Sequence, residues 1–173
     1  RRTFSFNKWC TSNSKIMNLS ANFTLEELIF SQVATRKNIN NNPSPQQIEN
    51  LKLLCENILQ PIRDKFGRVS VSSGFRSPEL CVAIGSSINS QHCADNGSSA
   101  CDFEVYGVDN EELGNWIIKN TPVDQLILEF YKGKDEPNSG WIHASYNKDK
   151  TRKQYLIAYR ENDKTKYKPK LNY

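Results

Sequence analysis

Two histidines, His92 and His143, are the only imidazoles in the 173-residue chain, so chemistry that needs three or more is excluded. Zinc accepts imidazole nitrogen, thiolate sulfur or carboxylate oxygen, and a catalytic zinc uses three protein donors so that the fourth position holds water. His92, Asp102 and His143 make one such set. Two imidazoles and one carboxylate leave a neutral to positive site, able to bring a bound water to a pKa of about 7. Taken singly, each residue also has an ordinary explanation. A loop histidine is usually exposed, and a strand histidine is more often packed than metallated.

The elements that would carry these residues can be read along the chain. Thr24, three residues before Glu27, caps a short helix expected over about 25–32. Ser44-Pro45 opens a long amphipathic run with Ile48, Leu51, Leu54, Cys55, Ile58 and Leu59 at helical spacing; Pro61 is expected to kink it and Gly67 to end it. Val69–Ser73 alternates with period two, a strand feeding Gly74-Phe75-Arg76, and Ser77-Pro78 restarts a helix. Gly85–Ser99 is rich in Gly, Ser and Asn, a loop carrying His92, and leads into a strand at Cys101–Val105 that carries Asp102 near its start. Asp109 opens another helix, acidic at its start. Gln125–Tyr131 and Trp141–Tyr146 read as an antiparallel pair, with Gln154–Tyr159 a further strand. Helices first and strands later give an α+β fold, with a small antiparallel sheet, flanked by helices, as the working surface.

Four stretches in this order carry a resemblance: Ser73-Gly74-Phe75-Arg76-Ser77, Ser90-Gln91-His92, Ala100-Cys101-Asp102 and Trp141-Ile142-His143. Together they resemble the zinc D-Ala-D-Ala carboxypeptidase family of metallopeptidases, whose fold is shared with the Hedgehog signalling domain. The likeness runs over roughly Asn18 to Ser145 and is strongest to the small single-domain members common in bacteriophages. The resemblance implies a Zn2+ cofactor held by His92, Asp102 and His143.

The resemblance also implies a carboxylate that takes a proton from the attacking water and passes it to the leaving amine. Many members carry it just before the final histidine, where this chain has Ser139 and Gly140. Glu129, in an otherwise apolar strand expected to pair with the His143 strand, is the better candidate; a cross-strand neighbour there comes within about 5 Å, and an apolar setting raises its pKa. Asp135 and Glu136 are weaker substitutes. Arg76 follows the Gly74 turn and is a candidate to grip a substrate carboxylate or developing oxyanion with its bidentate fork, the alternative being a pair with a nearby acid. Ser90 is expected to shape the ligand loop or contact substrate. The family spacing H-x-x-G-x-A-x-D is exceeded, because nine residues separate His92 from Asp102, and a wider loop is expected to absorb the excess. Cys93 and Cys101 flank that loop, as alternative thiolate donors or as buried bystanders.

The whole chain sets the remaining bounds. Its length fits one domain, with no apolar run long enough for a membrane span. Residues 1–16 form a basic segment with no continuous apolar stretch, read as an extension or processing remnant; 17–160 are the expected domain, and 161–173 a basic tail. The net charge of +4 belongs to the two ends, the stretch between them being acidic. That tail, with interleaved Tyr residues, is a possible phosphate contact, but nucleic acid is not expected as the main partner. Five cysteines, odd in number and without a C-x-x-C pair, favour a reducing compartment and buried thiols. The expectation is a monomeric peptidase cutting peptidoglycan stem peptides next to a D-amino acid. It would be made in the cytoplasm, then released to the wall at lysis or carried by a virion. The alternative is a catalytically inactive zinc-binding module, structural or wall-binding, in a phage particle.

Overall fold

Alternation along a six-stranded sheet separates the core from the site. In this computed structural model, which describes residues 16–171 and 173, the strands are β1 (Val69–Ser73), β2 (Ser98–Val105), β3 (Gln125–Glu129), β4 (Trp141–Asn147), β5 (Gln154–Glu161) and β6 (Lys164–Pro169). They lie in the order β1-β2-β4-β3-β5-β6. Across β2, β4 and β3, Cys101, Ala144 and Leu126 form one row and Phe103, Ile142 and Leu128 another, and all six side chains are fully buried on the helix-covered face. The intervening residues Asp102, His143, Ile127 and Glu129 point the other way.

Helices supply most of the cover on that first face. They are α1 (Leu25–Ile29), α2 (Gln32–Lys37), α3 (Pro45–Leu54), α4 (Gln60–Phe66), α5 (Pro78–Ala83) and α6 (Asn110–Asn120). A π-helical turn, Cys55–Leu59, joins α3 to α4 and puts Leu54, Cys55, Ile58, Leu59 and Ile62 into one buried stripe. Pro61 explains that turn: it lacks an N–H and its ring crowds the preceding carbonyls, and one wider turn accommodates both without ending the helix.

Three local expectations change. The helix expected over 25–32 is two helices, because Phe30 is extended and the Ser31 hydroxyl accepts from the Ala34 N–H to start a new one. The sheet is not wholly antiparallel, since β5 runs parallel to β3. The segment read as a basic tail supplies β6, paired antiparallel to β5 from Leu156–Pro169 to Glu161–Lys164. Residues 1–15, most of the expected extension, lie outside the described residues. No helix among the described residues is long and apolar enough to cross a membrane.

Candidate metal centre and its cleft

Strand register brings two of the three expected donors face to face. Asp102 of β2 is directly opposite His143 of β4, so their side chains share the open face of the sheet. His143 Nδ1 stands 2.8 Å from Asp102 Oδ1. The third donor comes from outside the sheet. Ser90 caps a single 3₁₀ turn, Gln91–Cys93, by accepting from the His92 N–H at 3.3 Å. That turn delivers His92 Nε2 to 3.3 Å from the same Asp102 oxygen.

Each donor is held by groups behind it. Gly74 O accepts from His92 Nδ1 at 2.7 Å, which leaves the Nε2 lone pair facing Asp102. Arg76 N–H donates to His92 O at 3.0 Å, so the turn and the segment after β1 are tied twice. Gly74 is required by crowding: a Cβ there would lie 2.2 Å from Leu28 O, the carbonyl that accepts from Phe75 N–H at 2.7 Å. Asp102 Oδ2, turned away from the imidazoles, accepts from Arg76 Nη2 at 2.7 Å, and Arg76 Nε donates to Ser73 Oγ at 2.9 Å. The guanidinium thus has an acid partner on the neighbouring strand, the alternative weighed for it, and it also lines the cleft.

The long His92–Asp102 connection is folded onto α3. Gln47 Nε2 donates to Cys93 O and Asp95 Oδ1, each at 3.0 Å, and Asn50 Nδ2 donates to Ala94 O at 2.7 Å. Ala94, Asn96 and Gly97 take left-handed backbone angles in a tight reversal, and Ser98–Ala100 then extend β2 against Asn147–Ser145. The expected extra length is divided between a turn and a strand. Neither flanking thiol joins the donors: Cys93 Sγ lies 3.5 Å from Cys81 Sγ, and Cys101 points into the core. The four described cysteines are all buried and unbridged.

Electrostatics set the donors in binding form. Burial pushes the His92 imidazole below its usual pKa against the pull of the Asp102 carboxylate. Burial would raise Asp102, but His92 and His143 outweigh it and hold the carboxyl well below the ordinary range. A tetrahedral zinc with bonds of about 2.0–2.1 Å separates its donors by about 3.3 Å. The His92–Asp102 separation of 3.3 Å equals that, the His143–Asp102 separation of 2.8 Å falls within about 0.5 Å of it, and all three donor atoms lie within 4.8 Å of one another, a group able to hold such an ion. Arg76 on Oδ2 reserves Oδ1 for it.

The donors lie in a cleft of about 640 Å³ together with Glu129, Ser90 and Arg76. Glu129 is directly opposite Trp141, so it is the diagonal neighbour of His143 rather than its facing partner. Its exposure is only 8 %, and burial raises its pKa, with His143 pulling the other way. Gly140 fixes the strand beneath it, since its φ is +68° and a Cβ would collide with Glu129 O. Asp135 and Glu136 lie in the β3–β4 connection and do not line the cleft.

Several supporting residues carry no signal in the sequence. Asn41, in a stretch that reads as a polar link, is buried; it donates to Ile29 O and Phe75 O and accepts from Ser77 N–H, bracing both sides of Arg76. Asp124 is held by Arg152 and accepts from Gln91 Nε2 at 3.1 Å, anchoring the His92 turn from below. A polar residue amid an apolar face, as Asn50 is on α3, is the one pattern that hints at such a role.

No curated protein and no solved structure matches the chain. A protein-family model described as Peptidase M15 matches residues 21–143, a span that contains His92, Asp102, Glu129 and His143. That family is one of zinc-dependent metallopeptidases, and the clustered His92, Asp102 and His143 are a group able to hold a metal ion. With more than half of its length matched, the chain belongs to the Peptidase M15 family.

Proposed function

We propose that the protein is a zinc peptidase that hydrolyses peptidoglycan stem peptides beside a D-amino acid, as a D-Ala-D-Ala carboxypeptidase or an endopeptidase. The observation that carries this is Glu129: a buried carboxylate on the same sheet face as the three donors, inside one cleft. An inactive metal-binding module has no need of it. When bound, the ion held by His92, Asp102 and His143 supplies Lewis acidity, acidifying water and polarising the scissile carbonyl.

The chain's own groups do the rest. Glu129 accepts a proton on its carboxylate and returns it to the departing amine nitrogen, a role that its raised pKa suits. Arg76 acts as a positioning residue, orienting Asp102, and Ser90 sets the His92 turn. The test is hydrolysis of purified muropeptides by zinc-loaded protein beside Glu129→Gln, His92→Ala and His143→Ala. The expected result is turnover by the parent alone, with zinc retained in Glu129→Gln and lost in both histidine variants. Equal turnover by parent and Glu129→Gln would overturn the reading.

A further inference from the structure

One wall of the cleft lies outside the family match. The match ends at residue 143, whereas Arg160, Thr165 and Tyr167, which also line the cleft, belong to the β5–β6 hairpin. Glu129 is beside Ala158 on the parallel neighbour β5, and Ala158 is opposite Tyr167 on β6. Alternation therefore puts Arg160, two residues beyond Ala158, on the face that carries Glu129 and His143.

Arg160 differs from Arg76 in having no acid. Arg76 is paired with Asp102 at 2.7 Å. Arg160 forms no ion pair among the described residues, and its hydrogen bond is a long one, 3.5 Å from Nη1 to Asp163 O. Its guanidinium instead lies 5.2 Å over the Phe130 ring, and Phe130 packs edge to face on Trp141 at 5.5 Å. Phe130 reaches that position through a left-handed backbone angle directly after Glu129. Stacking on a ring fixes a guanidinium while leaving its N–H edge open to a carboxylate. Arg160 is thus the one free cation among the described residues that line the cleft.

Topology gives its distance from the chemistry. Arg160 is two strands from His143 and four residues along β5 from Leu156, the neighbour of Ile127, which faces His143. At strand spacing and rise this puts the Cα atoms about 16 Å apart. Allowing for the arginine side chain, the guanidinium meets an extended peptide about two to three residues from the scissile bond.

We infer that Arg160 is a specificity-determining residue that binds a carboxylate of an acidic peptide substrate two to three residues from the bond cut. That carboxylate belongs either to an acidic side chain or to the peptide's own terminus. The inference rests on the peptidase reading, which supplies the bond.

Three peptides test it: an acidic stem-type peptide, the same peptide with its acidic side chain amidated, and the same peptide with its C-terminus amidated. Each is cleaved by the zinc-loaded parent, Arg160→Gln and Arg160→Lys. For the unmodified peptide Arg160→Gln is expected to raise KM about 10- to 100-fold with kcat little changed, and Arg160→Lys to recover part of the loss. On the peptide lacking the recognised carboxylate the difference between parent and variant vanishes, which names the source. Equal KM values for parent and Arg160→Gln, or an equal loss on all three peptides, would overturn the inference. Calorimetric binding of the three peptides to Glu129→Gln with and without Arg160→Gln decides the matter independently of turnover: weaker binding confined to carboxylate-bearing peptides supports Arg160, and unchanged affinity sinks it. A parent that binds discriminately but never cleaves would remove the peptidase reading and leave the carboxylate site.

Discussion

Asp102 serves two masters, with Oδ1 toward two imidazoles and Oδ2 toward Arg76. Removing the guanidinium frees the carboxylate to rotate. Arg76→Met is accordingly expected to weaken zinc binding about 10- to 100-fold, measured by competition with a chromogenic chelator. Glu129→Gln should leave that affinity intact while lowering kcat by about two to four orders of magnitude in a muropeptide assay. That His92, Asp102 and His143 would come together was legible from their order and their resemblance to a known pattern, because the chain has only two imidazoles to place. The partner of Arg76 was not: its reach to Asp102 depends on the β1–β2 register, where Ser73 faces Asp102 only after an irregularity following Val71.

Two glycines carry strain at the scale of elements. Gly140→Ala would force both a left-handed alanine and a clash with Glu129 O, and Gly74→Ala would press on Leu28 O. Each is expected to cost at least about 2 kcal/mol by denaturant titration, with Gly74→Ala also weakening metal binding through the displaced His92. Most elements were readable from periodicity and caps, as with Ser44 at α3 and Asp109 at α6, since those signals are local. The break at Phe30-Ser31 and the parallel seating of β5 were not. The first is settled by a hydroxyl cap competing with a continuing helix, and the second by which strand edge remains open after β3 and β4 have paired.

For the molecule as a whole, metal and protons act on the same balance. Stripping zinc from protein held at about 100 times its Kd should remove about 2.7 kcal/mol, a fall in Tm of about 5–10 °C by calorimetry. In the metal-free protein burial lowers the His92 pKa, so the unfolded chain takes up the proton first. Stability is therefore full above the unfolded value of about 6.5 and falls as pH drops below it. Glu129, whose pKa burial raises, works in the opposite sense, because the folded protein takes up that proton first.

Strand order in space also differs from strand order in time. β3 leaves the ribosome before β4 yet lies outside it, and every donor residue precedes β5. At about 5–20 residues per second, His143 is in the nascent chain about one to three seconds before Arg160 follows. The growing polypeptide therefore holds all three residues of the cluster before the hairpin that completes the cleft wall has been made.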